Sequence, residues 1–303
     1  MNIIAAIERR YSVRHYDKRP VPRDIVRQVI SAGRDVYPLC PGIRVHWHTA
    51  WAGEEVRRRL TRSLTTSGLS TPAPHYIIAT SQERPGFMEN LGFCMEQLIL
   101  TATAMGLGTC WIGGVFTEEK LRDLVPRLRT GERIVAITPL GYADTSARAR
   151  MARQLLLWGS DRMGSRKPLR DIVSRDIWPV PWTGEDENLD WIFQMTRLAP
   201  SWGNTQPWRF IVAERQVIAT VNSAPQRGNI REGKPYYRLD GGIAMCHFYL
   251  AAQAMRWPGQ WTSLGNERAT RRGEDRLEQM RSRYGIPDEY DILGIFPLPD
   301  SMS

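Results

Sequence analysis

Apolar residues recur at helical or strand spacing along the whole chain, and their pattern predicts helices alternating with strands. Ile25, Val26, Val29 and Ile30, for example, fall on one face of a helix. The predicted helices are Ile3 to Arg10, Asp24 to Ala32, Asn90 to Met105, Asn188 to Leu198 and Gly242 to Met255. The predicted strands are His75 to Thr80, Ile134 to Thr138, Arg209 to Ala213 and Asp291 to Phe296.

The two longest predicted helices share sequence. When residues 92–111 are placed over 242–261 without a gap, 7 of the 20 positions are identical, where unrelated sequences give about one or two. The last predicted strand of each half also matches in sequence, because Ile134 aligns with Ile292 and Pro139 aligns with Pro297. Either two similar amphipathic helices match by chance, or a whole domain that once paired with itself has been duplicated. We expect duplication, since a two-fold interface uses the same surface on both partners.

Composition narrows the class of protein. The chain has 303 residues, of which 42% are hydrophobic, so it can bury a sizeable core. Its four cysteines form no CxxC pair, and therefore no metal site is predicted. The first residues lack the apolar stretch of a signal peptide, and no run is long enough to span a membrane. These features predict a soluble, cytoplasmic protein without a membrane partner.

The formal net charge is +9. Such a charge is typical of a soluble basic surface, but it also suits an anionic partner such as a nucleic acid or a phosphate-bearing cofactor. No zinc-finger spacing or nucleic-acid motif is present, so we expect a small-molecule substrate and no nucleic acid. The basic run Arg57, Arg58 and Arg59 is interpreted as a solvated helix face.

A compact cationic cluster lies near the start of the chain. Arg9, Arg10, Ser12 and Arg14 place three guanidinium groups and a hydroxyl within six residues. Guanidinium groups hold phosphate through charge-assisted, often bidentate, hydrogen bonds. The alternative is a basic helix end that complements the helix dipole.

Two loops have the composition of ligand-binding segments. Residues 199–210 contain Pro200, Ser201, Asn204 and Gln206 together with Trp202 and Trp208, and such a loop can present polar groups to a planar heterocycle. It could instead be structural, with its Asn and Ser capping their own turns. Residues 106–114 hold four glycines, which permit close backbone approach to a ligand, and Cys110 there is interpreted as a packed thiol.

Four motifs together resemble the FMN-dependent nitroreductase family. They are Arg-Arg-x-Ser-x-Arg at 9–14, Gly-Leu-Gly-x-Cys-Trp-Ile-Gly at 106–113, Thr-Pro-Leu-Gly-Tyr at 138–142 and Ala-Pro-Ser-x-x-Asn-x-Gln-Pro-Trp-x-Phe at 199–210. The family is ordinarily a homodimer with FMN in the interface. Here the arginine motif is complete only in the first half and the Ala-Pro-Ser motif only in the second, so the chain resembles a fused, tandem branch with one FMN per chain.

The resemblance implies a fold, a division of the chain and a set of binding residues. It implies an α+β nitroreductase-like fold, in which two copies of a mixed sheet flanked by helices form an intramolecular pseudo-dimer. The halves would be residues 1–165, on the phosphate side, and 166–303, with the Ala-Pro-Ser loop. A monomeric pseudo-dimer is expected, and further association stays open.

Each half would contribute part of the cofactor site. For the FMN phosphate the resemblance implies Arg10, Ser12 and Arg14, with Arg9 a weaker member and Arg166 and Lys167 as a basic pair nearby. For the isoalloxazine ring it implies Pro200, Ser201 and Asn204, and for the approach to flavin N5 it implies the backbone of Ile112, Gly113 and Gly114.

The implied activity is a two-electron reduction of an electron-poor acceptor, of nitroaromatic or quinone type, driven by NADH or NADPH. FMN carries the chemistry in such enzymes, so no side chain is assigned as catalytic, and His247 is interpreted as a core histidine. The sequence departs from the family pattern in one place: the stretch LTTSGLSTPAP lacks the lysine often found near the flavin pyrimidine. Either Thr65 or Thr66 replaces it by hydrogen bonding, or the flavin is less readily reduced.

Several alternatives stay open at this point. A flavin-binding protein without turnover, a nucleic-acid binder suggested by charge alone, and a family branch that carries out dehalogenation or flavin breakdown are all compatible with the sequence.

Overall fold

The computed structural model describes residues 2–60, 73–147, 149–151, 154, 165–224 and 232–299. Its helices are α1 (Ile3–Arg9), α2 (Arg23–Arg34), α3 (Gly53–Arg59), α4 (Phe87–Ala104), α5 (Leu169–Ile172), α6 (Glu187–Thr196), α7 (Tyr236–Ala254) and α8 (Arg271–Tyr284). Its strands are β1 (Val45–Ala50), β2 (His75–Gln82), β3 (Gly108–Thr109), β4 (Ile112–Gly113), β5 (Glu132–Gly141), β6 (Val173–Arg175), β7 (Trp208–Ala213), β8 (Gln216–Asn222), β9 (Thr262–Ser263) and β10 (Tyr290–Pro297). Three short 3₁₀ segments follow Thr117, Ser201 and Asn266.

Local chemistry explains where several helices begin and end. Asn2 and Asp186 cap α1 and α6 by accepting hydrogen bonds from backbone N–H groups three residues on. The first turn of α8 is capped in the same way by Thr270. Gly285 ends α8 in the left-handed conformation that glycine adopts without steric cost.

The strands form two separate five-stranded sheets. The first has the order β1-β2-β5-β3, with β4 also paired to β5, and the second has the order β6-β7-β8-β10-β9. Most pairs are antiparallel. The mixed character predicted for the sheets comes from the parallel pair β6–β7 in the second sheet and from one parallel bridge, Ser12 to Thr109, in the first.

The main hydrophobic core lies between the sheets and contains α4 and α7. On β2, Ile77 faces this core while its neighbour Ile78 belongs to a smaller cluster on the other side of the sheet. In the second sheet, Ile218 on β8 packs in a comparable outer cluster with Leu277 of α8. This alternation is the period of two that strands impose on their side chains.

The two long central helices are in direct backbone contact. A Cβ on Gly92 of α4 would lie 2.3 Å from the Leu239 carbonyl oxygen, and one on Gly242 of α7 would lie 2.0 Å from the Glu89 carbonyl oxygen. Nearly every residue of both helices is buried, as predicted from their apolar composition. Only glycine fits at these two positions, because any side chain would collide with main-chain atoms of the partner helix.

The α+β prediction is confirmed, and each predicted helix and strand is present with shifted ends. The largest shift concerns α7, which begins at Tyr236 and not at Gly242, so its polar first turns were missed. Strands β1 and β8 and helix α8 were not predicted. Helix α8 is strongly polar and buries only three of its residues, so its apolar pattern is sparse. Among the helices that the described residues form, none is both long and apolar enough to cross a membrane.

Candidate functional site

The N-terminal cationic segment lies along the glycine-rich strand β3. Ser12 forms a parallel bridge with Thr109, and the Val13 N–H donates to the Thr109 carbonyl at 2.9 Å. This pairing places Ser12, Arg10 and Arg14 around Cys110. Burial raises the pKa of the Cys110 thiol, against the opposing effects of Arg14, a hydrogen bond with Ser12, and Arg10. A buried thiol kept protonated is a poor nucleophile, which supports the prediction of a packed residue.

Two of the N-terminal arginines, Arg9 and Arg10, have different surroundings. Arg9 is exposed, and its Nε donates to the Ala5 carbonyl at 3.0 Å, so it caps its own helix. The Arg10 side chain is only 4% exposed and lies 3.8 Å from the Glu96 carboxylate, measured from Nε to Oε1. Its Nε has no hydrogen-bond partner within the described residues. A buried charged donor without an acceptor is costly, and an anionic ligand would satisfy it.

The Ala-Pro-Ser loop has an unusual backbone. Gly203, Asn204 and Gln206 all have positive φ, at 54°, 54° and 47°. Asn tolerates this region, but a glutamine there must be held by its neighbours. The Ser201 hydroxyl accepts from the Gln206 N–H at 2.9 Å, and the Gln206 side chain accepts from the Lys167 N–H at 2.9 Å. Strained backbone fixed by several hydrogen bonds is common at binding sites.

Arg166 and Lys167 hold this loop from the segment before α5. The Arg166 guanidinium donates to the Asn204 side-chain oxygen and, at 3.1 Å, to the Leu198 carbonyl. The Asn204 amide in turn donates to the Ser165 carbonyl at 2.8 Å. The Lys167 ammonium donates to the carbonyls of Thr205 and Gln206 at 3.0 and 3.2 Å. The predicted basic pair and the predicted ring-binding loop therefore form one hydrogen-bonded unit.

Arg166 lies where the N-terminal cationic segment approaches the Ala-Pro-Ser loop. Burial, together with the nearby positive charges of Arg10 and Arg197, lowers the pKa of Arg166 to about 10. Arg197 is part of the same unit, because it donates to the Arg166 carbonyl at 3.1 Å. The structure thus brings Arg10 of the cationic cluster close to Arg166, which contacts Asn204. Like charges gathered in a partly buried place repel one another, and a phosphate dianion would relieve that repulsion. The donor set therefore fits the phosphate of FMN.

The glycine segment forms a second wall built from both halves. Ile112 is buried and pairs with Ile137 of β5. Gly114 has a φ of +69°, which favours glycine. Tyr236, the first residue of α7, packs flat on this segment: a Cβ on Gly113 would lie 2.7 Å from its Cε1, and one on Gly114 would lie 3.3 Å from its Cε2. The sequence analysis missed Tyr236, because the apolar pattern of α7 begins after it.

A buried polar cluster connects the cationic segment to the central helices. The Glu96 carboxylate contacts His247 Nε2 at 2.9 Å and accepts from Trp111 Nε1 at 2.7 Å. The other ring nitrogen of His247 lies 3.2 Å from the Met195 carbonyl oxygen. His247 is fully buried with both nitrogens engaged, which confirms the prediction of a satisfied core histidine. Glu96 was missed because it lies within a predominantly apolar helix.

Two other predictions have different outcomes. The basic run on α3 faces solvent as predicted, and its arginines pair with acids: Arg57 with Glu54, and Arg59 with Glu55 and Asp123. Thr65 and Thr66, one of which was expected to replace the missing lysine unless the flavin is less readily reduced, lie outside the described residues.

Known proteins similar to this chain are nitroreductases. A family model described as "Putative TM nitroreductase" matches residues 2–252. The crystal structure of a "putative nitroreductase" from Thermotoga maritima has the same fold over 98% of this chain and 94% of its own, with 19% identity and a TM-score of 0.56. A "Putative NADH dehydrogenase/NAD(P)H nitroreductase" from Methanothermobacter thermautotrophicus is 24% identical over 153 residues, which are 47% of this chain and 78% of that protein. With its family model matched over most of its length, the chain belongs to the nitroreductase family.

Proposed function

We propose that the chain binds one FMN between its two halves and uses NADH or NADPH to reduce an electron-poor acceptor of nitroaromatic or quinone type. The observation that carries this proposal is that Arg166, whose guanidinium bonds to Asn204 of the polar loop, lies within range of the positive charge of Arg10 in the cationic segment. When bound, FMN would supply the chemistry, by accepting a hydride from the nicotinamide and passing two electrons to the acceptor.

The protein's own part is to hold and orient the cofactor. Arg10, Ser12 and Arg14 would bind the phosphate, with Arg166 completing the charge from the other half. Arg9 would add only long-range attraction, because its guanidinium bonds to its own helix. Lys167 would act through the loop, whose carbonyls its ammonium holds.

The isoalloxazine ring would lie between the two loops. Pro200 is buried and stiffens the loop, while Ser201 and Asn204 would present polar groups to the ring. Ile112, Gly113 and Gly114 would bring their backbone toward N5. Trp202 of the same loop donates its backbone N–H to the buried Asp240 carboxylate at 3.2 Å, and its exposed side chain would border the acceptor.

If the halves are related by duplication, the chain has a second position equivalent to this site, in which the two halves exchange roles. That position is filled by packed protein atoms. With the offset of 150, Gly113 and Gly114 correspond to Ser263 and Leu264. There the Cys40 thiol donates to the Ser263 hydroxyl at 3.1 Å, and a Cβ on Gly265 would lie 2.5 Å from the Gly86 Cα. This close packing supports one FMN per chain and not two.

We propose that the halves are residues 1–165 and 166–303 and that they arose by duplication. The first sheet lies between residues 45 and 141 and the second between residues 173 and 297, so neither crosses the proposed boundary. The reciprocal contacts of Gly92 and Gly242 support this origin, because a former two-fold interface would place equivalent residues in equivalent contacts.

An absorbance spectrum of the purified protein, recorded before and after anaerobic addition of NADH or NADPH, tests the proposal. We expect flavin bands that correspond to one FMN per chain and that bleach on reduction. Protein that binds no FMN, even after incubation with excess cofactor, would overturn it. Two FMN per chain would overturn the single-site assignment alone, and bound FMN that no nicotinamide reduces would favour a flavin-binding protein without turnover.

A further inference from the structure

Tyr236 occupies an unusual position between strands β4 and β5. The register pairs Ile112 with Ile137 and Gly113 with Ala136, so the next pair would be Gly114 with Val135. The Val135 carbonyl instead accepts a hydrogen bond from the Tyr236 hydroxyl at 3.0 Å. The phenol therefore takes the place of the backbone at the point where the ladder ends.

The Tyr236 ring and hydroxyl together fix the shape of the Gly113–Gly114 segment. Its ring lies against both glycines: a Cβ on Gly113 would collide with the ring at 2.7 Å, and one on Gly114 would be crowded by it at 3.3 Å. Burial raises the pKa of Tyr236 to about 12, while the Gly114 backbone N–H opposes that shift by pointing to the phenolic oxygen. The hydroxyl is thus neutral at physiological pH, donates to the Val135 carbonyl of β5 and accepts from the Gly114 amide, so it links the end of the segment to β5.

We propose that Tyr236 is a positioning residue that the second half contributes to the N5 side of the flavin site, where it sets the backbone of Gly113 and Gly114. This inference rests on the proposed function, since it assumes that this segment faces FMN. A backbone donor must be placed within a few tenths of an ångström to act on a cofactor atom, and small displacements at such positions cost large factors in rate.

The offset of 150 explains why only one of the two related places has this arrangement. Tyr236 corresponds to Gly86, which has no side chain to insert into a strand ladder. Gly86 instead packs against Gly265, and its carbonyl oxygen lies 3.7 Å from the Cys40 sulfur. Tyr236 carries a phenol and Gly86 carries only a hydrogen atom, so the two related positions cannot make the same contacts.

The test compares Tyr236→Phe with Tyr237→Phe. Both substitutions remove one hydrogen-bonded phenolic hydroxyl from the first turn of α7, but the Tyr237 hydroxyl bonds to Asp291 at 3.2 Å, away from the glycine segment. We expect Tyr236→Phe to shift the visible absorption bands of bound FMN and to slow flavin reduction by NADH about tenfold or more. FMN affinity should stay within about twofold of the wild type, because the phosphate contacts are elsewhere. Tyr237→Phe should leave spectrum and rate unchanged.

A wild-type spectrum and reduction rate in folded, FMN-loaded Tyr236→Phe would overturn the inference, as would equal effects of the two substitutions. Failure of the wild-type protein itself to bind FMN would instead overturn the proposed function. If Tyr236→Phe does not fold, Gly113→Ala can be used instead. The methyl added by Gly113→Ala would press on the Tyr236 ring from the glycine segment. The same spectral shift is expected there, and its absence would contradict the proposal.

Discussion

Gly92 and Gly242 make equivalent contacts on opposite central helices: the first lies against the carbonyl of Leu239 and the second against that of Glu89. The two contacted residues are separated by the same 150 positions as the two glycines. Each half therefore supports the other through one motif used twice.

This relationship predicts that alanine at either glycine separates the central helices. An added methyl cannot occupy space 2.3 or 2.0 Å from a carbonyl oxygen, so Gly92→Ala and Gly242→Ala should each lower the free energy of unfolding by about 1–3 kcal/mol or more. Denaturant titration followed by tryptophan fluorescence measures this. Gly241→Ala is the matched control, because its methyl would press on the flexible end of the Leu293 side chain and otherwise meet Val221 at an ordinary contact distance of 3.4 Å. A loss in Gly241→Ala equal to that in the other two variants would contradict the explanation.

The phosphate assignment predicts a difference between two arginines. Arg14→Ala should weaken FMN binding about tenfold or more, because a charge-assisted hydrogen bond to phosphate is lost. Arg58→Ala, which removes an exposed arginine of α3, should leave FMN binding within about twofold. Fluorescence titration of the apoprotein with FMN gives both dissociation constants. Equal values in the two variants would remove the phosphate assignment.

The charge gathered around Arg166 predicts that an anion stabilises the protein before any flavin is present. Inorganic phosphate should raise the midpoint of thermal unfolding of the apoprotein, since a ligand that binds only the folded state stabilises it. The increase should be smaller in Arg166→Gln, where one of the repelling cations is gone. Chloride at equal ionic strength is the control. An identical response to both salts would show that phosphate has no specific place there.

The buried contact between Glu96 and His247 predicts a large cost when one partner is removed. Neither side chain is exposed, so Glu96→Ala should leave His247 and Trp111 with an unmatched nitrogen and destabilise the fold by about 3–5 kcal/mol. Glu54→Ala, which breaks an exposed pair with Arg57, is the control and should have little effect. Comparable unfolding midpoints for the two variants would show that the buried cluster contributes little.

Buried thiols and phenols predict a loss of stability in alkali. Burial raises the pKa of Cys40 and of Cys94 to about 12, and that of Tyr76 to about 12. The unfolded chain releases these protons near pH 9–10, so above that range the folded state binds more protons than the unfolded state does. The free energy of unfolding should therefore be constant up to about pH 8.5 and fall as the pH rises toward 12. A flat profile of urea midpoints between pH 8 and pH 11 would contradict these shifts.

Much of this architecture follows from sequence patterns, and the exceptions have physical reasons. The long helices and strands β5 and β10 were predicted because an element that is buried on all sides has a continuous run of apolar residues, as α4 has. Strand β8 (Gln216–Asn222) has five buried residues and was nevertheless missed. The reason is that only a short turn separates it from β7. Motif residues of the site were recognised from their spacing along the chain. Tyr236 and Glu96 could not be, since their roles depend on partners more than 100 positions away, Val135 and His247.

Arg238 is buried between the two halves, and its ion pairs limit the routes by which a bound cofactor could exchange with solvent. Arg238 of the second half bonds to Glu89 of the first half and to Asp291 at 2.7 Å, with almost no exposure to solvent. Pulling the halves apart would leave these charges in an apolar cleft, so the seam is expected to stay shut on the timescale of turnover. Flavin would then leave at the edge of the molecule, past Trp202 and its loop. Exchange of the cofactor would therefore depend on motion of this loop and not on separation of the two halves.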